Sequence, residues 1–406
     1  MSKPLLSAIG LLALGMAPAQ DARGLPAPPV IELEDLAGGI TRLGLDDLPV
    51  EDLAARGAAF LRCLGFRAAA LAGVEGENSA WVHLHCGARL RGRLLGGSGE
   101  SIQLALEGAS QLDLSIEEVA AIRFPGRQPR SGSLLPEAPD EGDRLYLRRG
   151  SGLDRVEGLV DGFEPEGVRF QGRFGLKTHP WEEVVALFIE QLDAPDPRPS
   201  RAPVVVDLRG GGRIGGDLVS VRADGVELIT AAGTQLRIPL PLVREVMRAD
   251  GSFQFLSDLT PADTGPSDLF GGRQGLGMRY PVQVDRNYAG HVLRTGGQTF
   301  ARGLGVHAPS RLTWELNGAW KSLRMRAGLD DSALGGTYQG SVVFRVYVDG
   351  EVRWASPLVR GGEGPLSVPR VDLSGARSLT LEVDPASEAF FCDRANWLRP
   401  VLVRAD

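Results

Sequence analysis

The sequence predicts an all-β protein: a carboxyl-terminal antiparallel β-sandwich preceded by three small β-barrel-like repeats and a short helical segment. Three observations predict it. From Val82 onward apolar residues alternate with polar ones at a period of two over most of the chain, as in strands that bury one face. The 406 residues include 54 glycines and 27 prolines with no Gly-X-Y period, which excludes collagen and supplies many turns. The first half also repeats itself, and self-similarity at a fixed offset marks structural units of one kind.

At the amino terminus, Lys3 precedes an apolar run from Leu5 to Met16 that is too short to span a bilayer and is followed by the small residues of Ala17-Pro18-Ala19. This is a signal-peptide profile over residues 1–19, so the mature protein is expected to be exported: secreted, periplasmic or at the cell surface. No later apolar stretch is long enough for a transmembrane helix. Residues 20–78 are irregular, but between Val50 and Gly73 the positions Leu53, Phe60, Leu61, Leu64 and Leu71 fall at helical spacing. They predict one helix, with Asp46 or Asp47 as its start signal and Pro49 near its first turn. Cys63, Cys86 and Cys392 are too few for a disulfide framework; Cys63 and Cys86 are candidates for pairing in an oxidising compartment, and three buried thiols are the plainer reading.

The repeat is explicit in the residues. Val82 to Leu94 lies on Val206 to Leu218 without a gap at an offset of 124, and Ile102, Leu104, Leu112, Leu114, Ile116, Val119 and Ile122 continue onto Val226, Leu228, Leu236, Ile238, Leu240, Val243 and Val246. A looser middle copy runs from Leu145 through Val156 to Val160 and Val168 to Phe170, and on to Trp181, Val184 and Leu187. Three units result, at 79–127, 143–190 and 202–250, joined by Pro/Gly/Ser/Asp-rich linkers at 125–142 and 191–203. In strand rhythm the units resemble the SH3-like or Sm-like barrel, a likeness of fold alone.

Charge narrows the partners. With 44 basic against 51 acidic residues and a net charge of −7, no global positive field exists to gather a nucleic acid, and the repeats add no basic excess. His83 and His85 share a strand face and are a conceivable zinc pair. The matching positions of the third copy are Asp207 and Arg209, which favours a solvated face.

After Gly251 the repeat stops and a last domain, 253–406, begins. Strands are expected at Leu312–Leu316, Ser322–Leu329, Ser341–Val348, Val352–Ala355, Val368–Leu373, Ser378–Asp384 and Trp397–Arg404, with Asp349-Gly350 as a two-residue hairpin turn. Several short strands without helical periodicity make a sandwich.

Phe255 to Leu259, Asp285-Arg286-Asn287, Arg302 to His307, Gly328 to Asp331, Gly340 to Gly350, Val371 to Ala376 and Asp393 to Trp397 occur in this order, and together they resemble the NPCBM/NEW2 domain, a family of carbohydrate-binding modules. The resemblance covers residues 253–404 and implies a galactose-binding-like jelly roll of the kind attached to glycoside hydrolases such as α-galactosidases and family 98 enzymes. One departure is Phe390-Phe391-Cys392 ahead of Asp393, where the family has a more polar run.

Sugar recognition uses an aromatic face against the pyranose and carboxylate, amide or imidazole groups for its hydroxyls. Trp397, Asn396, Asp393, His307, Asp330 and Asp331 offer that chemistry and are the candidate binding residues. Each has a structural reading too: Trp397 as core, His307 as a satisfied internal histidine, Asp330 and Asp331 as turn caps or ligands of a structural calcium. No other cofactor is implied. The chain lacks G-x-S-x-G, H-E-x-x-H, C-x-x-C and P-loop patterns, and the repeats leave no room for a barrel-type catalytic domain, so no enzyme is expected. The expected partner is a polysaccharide or glycoconjugate; the alternative is that the chain is a structural or protein-interaction protein of the cell envelope, with envelope proteins docked on its repeats and a sandwich that no longer binds sugar.

Overall fold

The computed structural model describes residues 29–66, 79–106, 111–128, 136–191, 201–209, 211–231, 233–264, 280–334, 339–386 and 392–404. The expected signal peptide, the part of the expected helix beyond residue 66, residues 129–135 of the first linker, residues 192–200 of the second and the Phe390-Phe391 pair lie outside these residues. The chain divides into two compact units at Asp250/Gly251.

In the first unit each repeat is a five-stranded antiparallel meander whose last strand returns to pair with its first. The first repeat runs Ser79–Leu84, Arg89–Ser98, Ser101–Ala105, Gln111–Ser115 and Val119–Arg123. The second comprises Asp143–Arg149, Gly152–Phe163, Gly167–Gly172, Gly175–Pro180 and Val184–Phe188. The third comprises Pro203–Leu208, Arg213–Arg222, Gly225–Ile229, Gln235–Ile238 and Val243–Arg248. The offset of 124 holds in the strand pairing: Val82 pairs Leu90 as Val206 pairs Ile214, and Leu94 pairs Leu104 as Leu218 pairs Leu228. The long second strand carries a register shift at the same place in every copy, at Leu94/Gly96, Val160/Gly162 and Leu218/Ser220. A bulge there bends the strand so that one strand serves two sides of a small barrel.

Alternation does the rest, since Val82, Leu90, Ile102 and Leu104 and their equivalents Val206, Ile214, Val226 and Leu228 are all buried in one core. The first and second repeats share strand pairing, with Leu187 opposite Ile122, and the last strand of the third repeat pairs with the amino-terminal strand Phe60–Leu64, with Val246 opposite Leu61.

The helix expected at Val50 to Gly73 is not there in its described part. Val50 bridges Val221, a turn occupies 53–57, and Phe60–Leu64 is a strand held between Val30–Glu34 and Val243–Arg248. The expected start signal is a single 3-10 turn, Leu45–Asp47. Gly57 and Gly65 take positive φ of 67° and 73°, conformations that end a helix, and pairing with two neighbours wins over apolar spacing. The three cysteines are unpaired: Cys63 is buried, Cys86 exposed, and burial pushes the Cys63 thiol up to about 12.

The second unit is a sandwich of two antiparallel sheets. In the first sheet the order is Gln283–Val284, Gly303–His307, Arg394–Arg404, Trp320–Leu329, Leu366–Asp372, with Phe253–Phe255 also on Arg394–Arg404. The second runs Asp263–Thr264, Ser310–Glu315, Ser378–Pro385, Ser341–Val348, Glu351–Ala355. Trp314, Trp397, Phe344, Leu323, Val346 and Leu381 fill the space between them. Asp349 and Gly350 have φ of 51° and 83°, as the hairpin signal requires.

Two glycines test the equivalence of the repeats. A Cβ on Gly92 would lie 2.6 Å from the Ala105 oxygen, and one on Gly216, at the matching place, 2.5 Å from the Ile229 oxygen. Both are backbone contacts that only a shift of the ladder relieves. Gly92→Ala and Gly216→Ala should therefore each cost about 1 to 3 kcal/mol in urea unfolding, and unequal effects, with one variant unaffected, would contradict a shared close approach.

Candidate functional site

The site is built where Gly303–His307 pairs with Arg394–Arg404. In that ladder His307 is opposite Arg394, Gly305 opposite Asn396 and Leu304 opposite Trp397. Cross-strand partners share a face, and Leu304, Val306, Ala395 and Trp397 face the core. His307, Gly305, Arg394 and Asn396 therefore lie on the outer face of the sheet.

Strand alternation thus sends the adjacent candidates Asn396 and Trp397 to opposite sides. Trp397 is wholly buried, with its ring 4.9 Å from Phe344 and edge-on to it, so it is a core residue and offers no platform to a sugar. The expectation of Trp397 as a binding residue is corrected on this ground. Asn396 is also inaccessible, but because the loop from Asp285 to Gly297 covers it. Its Nδ2 donates to Asp330 Oδ2 at 2.8 Å and to Thr295 Oγ1 at 3.2 Å.

Asp330 is the centre of that cover. Although 1% exposed, it receives four N–H donors: Asn287 Nδ2 at 3.0 Å and the Ser332 amide at 2.9 Å on Oδ1, Asn396 Nδ2 at 2.8 Å and the Arg294 amide at 3.2 Å on Oδ2. Asn287 in turn accepts the amides of Ala289 and His291 on Oδ1. The loop can sit this close because the strands beneath carry glycine: a Cβ on Gly305 would meet the Asn287 backbone at 2.6 Å, and one on Gly328 the Thr295 methyl at 2.6 Å. Asp331, at the rim, holds the same loop through the Gly297 amide at 2.9 Å and Arg294 Nε at 3.1 Å. Asp330 and Asn396 are therefore internal hydrogen-bonding groups, and donors fill the positions that a cation on Asp330 would need. Among the described residues no group of three or more His, Cys, Asp or Glu is placed to hold a metal ion.

Asp393 lies between the sheets, 1% exposed, where Oδ1 accepts the Ser341 amide at 2.8 Å and Oδ2 is buried without a hydrogen bond among the described residues. Burial pushes its carboxyl up to about 6, against the single amide that favours the ion. Arg302, also buried, pins the base of the loop by donating to Asp285 at 2.6 Å and Asp258 at 2.8 Å beneath the Phe255 ring.

What remains at the surface is an aromatic cluster packed over His307, which is itself only 6% exposed, while the Tyr280 and Tyr288 rings are half-buried. Tyr280 stacks on its imidazole at 4.4 Å and 19°, and Tyr288 meets it edge-on at 5.3 Å. Arg394 lies 5.3 Å over the Tyr288 ring and donates to the Ser332 oxygen at 2.9 Å. His307 Nδ1 sits 2.7 Å from the Ala308 carbonyl, which can only accept, so the neutral ring carries its proton on Nδ1 and keeps Nε2 as an acceptor. Burial and the neighbouring Arg394 hold the imidazole below its ordinary pKa and favour this neutral form. Of the six candidates, then, Asp331 stands at the rim, His307 lies buried directly beneath its tyrosines, Asp330, Asn396 and Asp393 are scaffold, and Trp397 is core. Tyr280, Tyr288 and Arg394 were not among them. Arg394 was available by parity, since it stands two residues before Asn396 on the same strand face.

Residues 254–403 match the NPCBM/NEW2 domain family. Over 121 residues the chain is 34% identical to "Alpha-1,3-galactosidase B" of Akkermansia muciniphila, a stretch that covers 29% of this chain and 15% of that protein. Among solved structures, a CBM51 module of a Clostridium perfringens GH95 enzyme in complex with methyl-galactose aligns at 21% identity with a TM-score of 0.32, over 37% of this chain and 99% of that one. A Clostridium perfringens ZmpB structure of CBM51-2 with GlcNAc and INT domains aligns at 19% identity and a TM-score of 0.33, over 49% of this chain and 40% of that one.

Two expected outcomes separate scaffold from rim. Trp397→Ala should cost about 3 to 5 kcal/mol of stability through the cavity it leaves, seen as a fall in melting temperature. A surface residue would cost far less. For Asp393 the sign follows from its raised pKa: on acidification the folded protein takes up this proton near 6, whereas an unfolded carboxyl waits until near 3.8. The Asp393 contribution therefore favours folding more as pH falls from 7 towards 4. Asp393→Asn, which removes the charge, should raise the melting temperature most above pH 6, with the gain shrinking towards pH 4; a gain that grows on acidification would contradict the buried, under-partnered carboxylate.

Proposed function

We propose that the protein is an exported, non-catalytic glycan-binding protein, which binds a galactose-containing polysaccharide or glycoconjugate through the rim of its carboxyl-terminal sandwich. The observation that carries the reading is the domain-length match of residues 254–403 to the NPCBM/NEW2 family. The aromatic cluster supports it: the half-buried Tyr280 and Tyr288 rings provide an apolar surface, and their hydroxyls, Arg394 and His307 provide donors and an acceptor. A pyranose presents the complement, an apolar face edged with hydroxyls. The galactosidase relative supports the choice of sugar. The signal-peptide profile of residues 1–19 supports export, and the three repeats serve as a spacer or docking array ahead of the binding unit.

A second reading, docking of an envelope protein on the repeats, has one observation of its own. Leu159, Gln171 and Leu176 stand opposite one another across three strands of the second repeat, Leu159 and Leu176 are 53% and 51% exposed, and Phe174 at the hairpin tip is 74% exposed. Apolar side chains in this number on one exposed sheet suit a protein partner.

Affinity electrophoresis and calorimetric titration of the full chain with galactose-containing and sulfated polysaccharides test the first reading. Retention is expected, with a weak constant for a single shallow site. Tyr288→Ala should weaken it about tenfold, the equivalent of about 1.4 kcal/mol, at an unchanged melting temperature. Absence of retention on every such glycan, or equal retention by the variant, would sink the assignment.

A further inference from the structure

The sandwich has a second cleft that the rim does not include. Glu351–Ala355 and Leu366–Asp372 are the edge strands of the two sheets, and they run close to each other on an open side of the unit. Between them is a cleft of about 330 Å³, at the lower end of the size range of small-molecule sites. Ser341 begins a strand beside Asp393, and Val348, its last residue, lines the cleft. The cleft and the His307 rim are therefore about 20 Å apart, one strand length.

Its lining is suited to a polyhydroxylated ring. Trp354, half-buried against the core, forms an apolar wall with Val371. Arg353, Arg370, Asp349 and Asp372 surround it with two guanidinium and two carboxylate groups. Three of the four are fixed before any ligand arrives. Asp349 Oδ1 accepts the amides of Arg377 and Ser378 at 2.9 and 2.8 Å; Asp372 Oδ1 accepts the Ser374 amide at 3.0 Å and hydroxyl at 2.7 Å; and Arg370 Nε donates to Ser322 Oγ at 2.9 Å. In each case the tether uses one side of the group, and among the described residues the second carboxylate oxygens and the terminal guanidinium nitrogens have no hydrogen bond. These tethers keep both carboxylates below their ordinary pKa, hence ionised at neutral pH.

We infer that this cleft is a second saccharide site, for one neutral pyranose unit stacked on Trp354 with its hydroxyls shared between the arginines and the carboxylates. Two positive and two negative groups give no preference to an ionic ligand, whereas hydroxyls satisfy both donors and acceptors. Strand addition by a peptide is disfavoured because Pro369 removes a donor from one edge and Glu351 and Arg353 place charge on the other. With two sites at opposite ends of one module, a single chain would bridge two strands of a polysaccharide or gain avidity on one.

The chain has six tryptophans, so the full-length protein labelled with 15N-tryptophan gives a small set of indole resonances. Trp354→Phe identifies that of Trp354. Methyl-galactoside and N-acetylglucosamine are the probes, titrated separately. The Trp354 resonance should move saturably with at least one of them, with a millimolar constant, and should do so equally in the Tyr288→Ala background. Arg353→Gln combined with Arg370→Gln should weaken that response about tenfold at an unchanged melting temperature. A resonance that stays fixed, moves linearly without saturation, or stops responding in Tyr288→Ala would overturn the second site. Because retention on polysaccharide of the Arg353→Gln/Arg370→Gln variant, with and without Tyr288→Ala, reads the rim with the cleft disabled, failure of one site is distinguishable from failure of the other.

Discussion

The carboxyl-terminal unit depends on a carboxylate that has been taken out of water. An unpartnered buried charge is costly enough to neutralise or to unfold its surroundings, so Asp330 is tolerable only with its acceptor positions filled. Two side-chain amides and two backbone amides fill them, and their origin decides the architecture: Asn396 belongs to a sheet strand, Asn287 and Arg294 to the covering loop, and Ser332 to the turn after the next strand. One group therefore fastens three parts of the fold together. The loop so fastened carries Tyr288, which is how an internal hydrogen-bond network determines the shape of an external surface.

Asp393 shows the opposite balance. It has one amide donor, and burial raises its carboxyl to about 6, whereas donors around Asp330 come from every side. The same residue type, two strand ends apart, is a well-satisfied anchor in one place and a strained one in the other. Number of donors, not degree of burial, separates them, since both are 1% exposed.

The fold was legible where side chains alternate on a strand and a turn has one chemical solution. The offset of 124, the seven sandwich strands and the Asp349-Gly350 hairpin were all readable from residues, because burial on one face of a strand leaves a period of two in the sequence. Gly303–His307 was not read as a strand: its glycines carry no strand signal, and they are there because a loop lies on top of them. Phe60–Leu64 was misread for the related reason that its partners are distant in sequence. At the site, residue chemistry alone selected polar groups near strand ends and could not tell a group that faces solvent from one that holds a loop. Parity would have separated Asn396 from Trp397 once the strand was placed. The stacking of Tyr280 on His307 has no local signature, because 27 positions separate the two rings.

The central claim is that the aromatic rim held by Asp330 receives a sugar. A crystal structure of the protein grown with a galactoside tests it most directly. The account requires a pyranose with its apolar face against Tyr280 or Tyr288 and hydroxyls within hydrogen-bond distance of Arg394 or His307 Nε2. A galactoside bound only away from these side chains, with the rim left to solvent at saturating ligand, would contradict it.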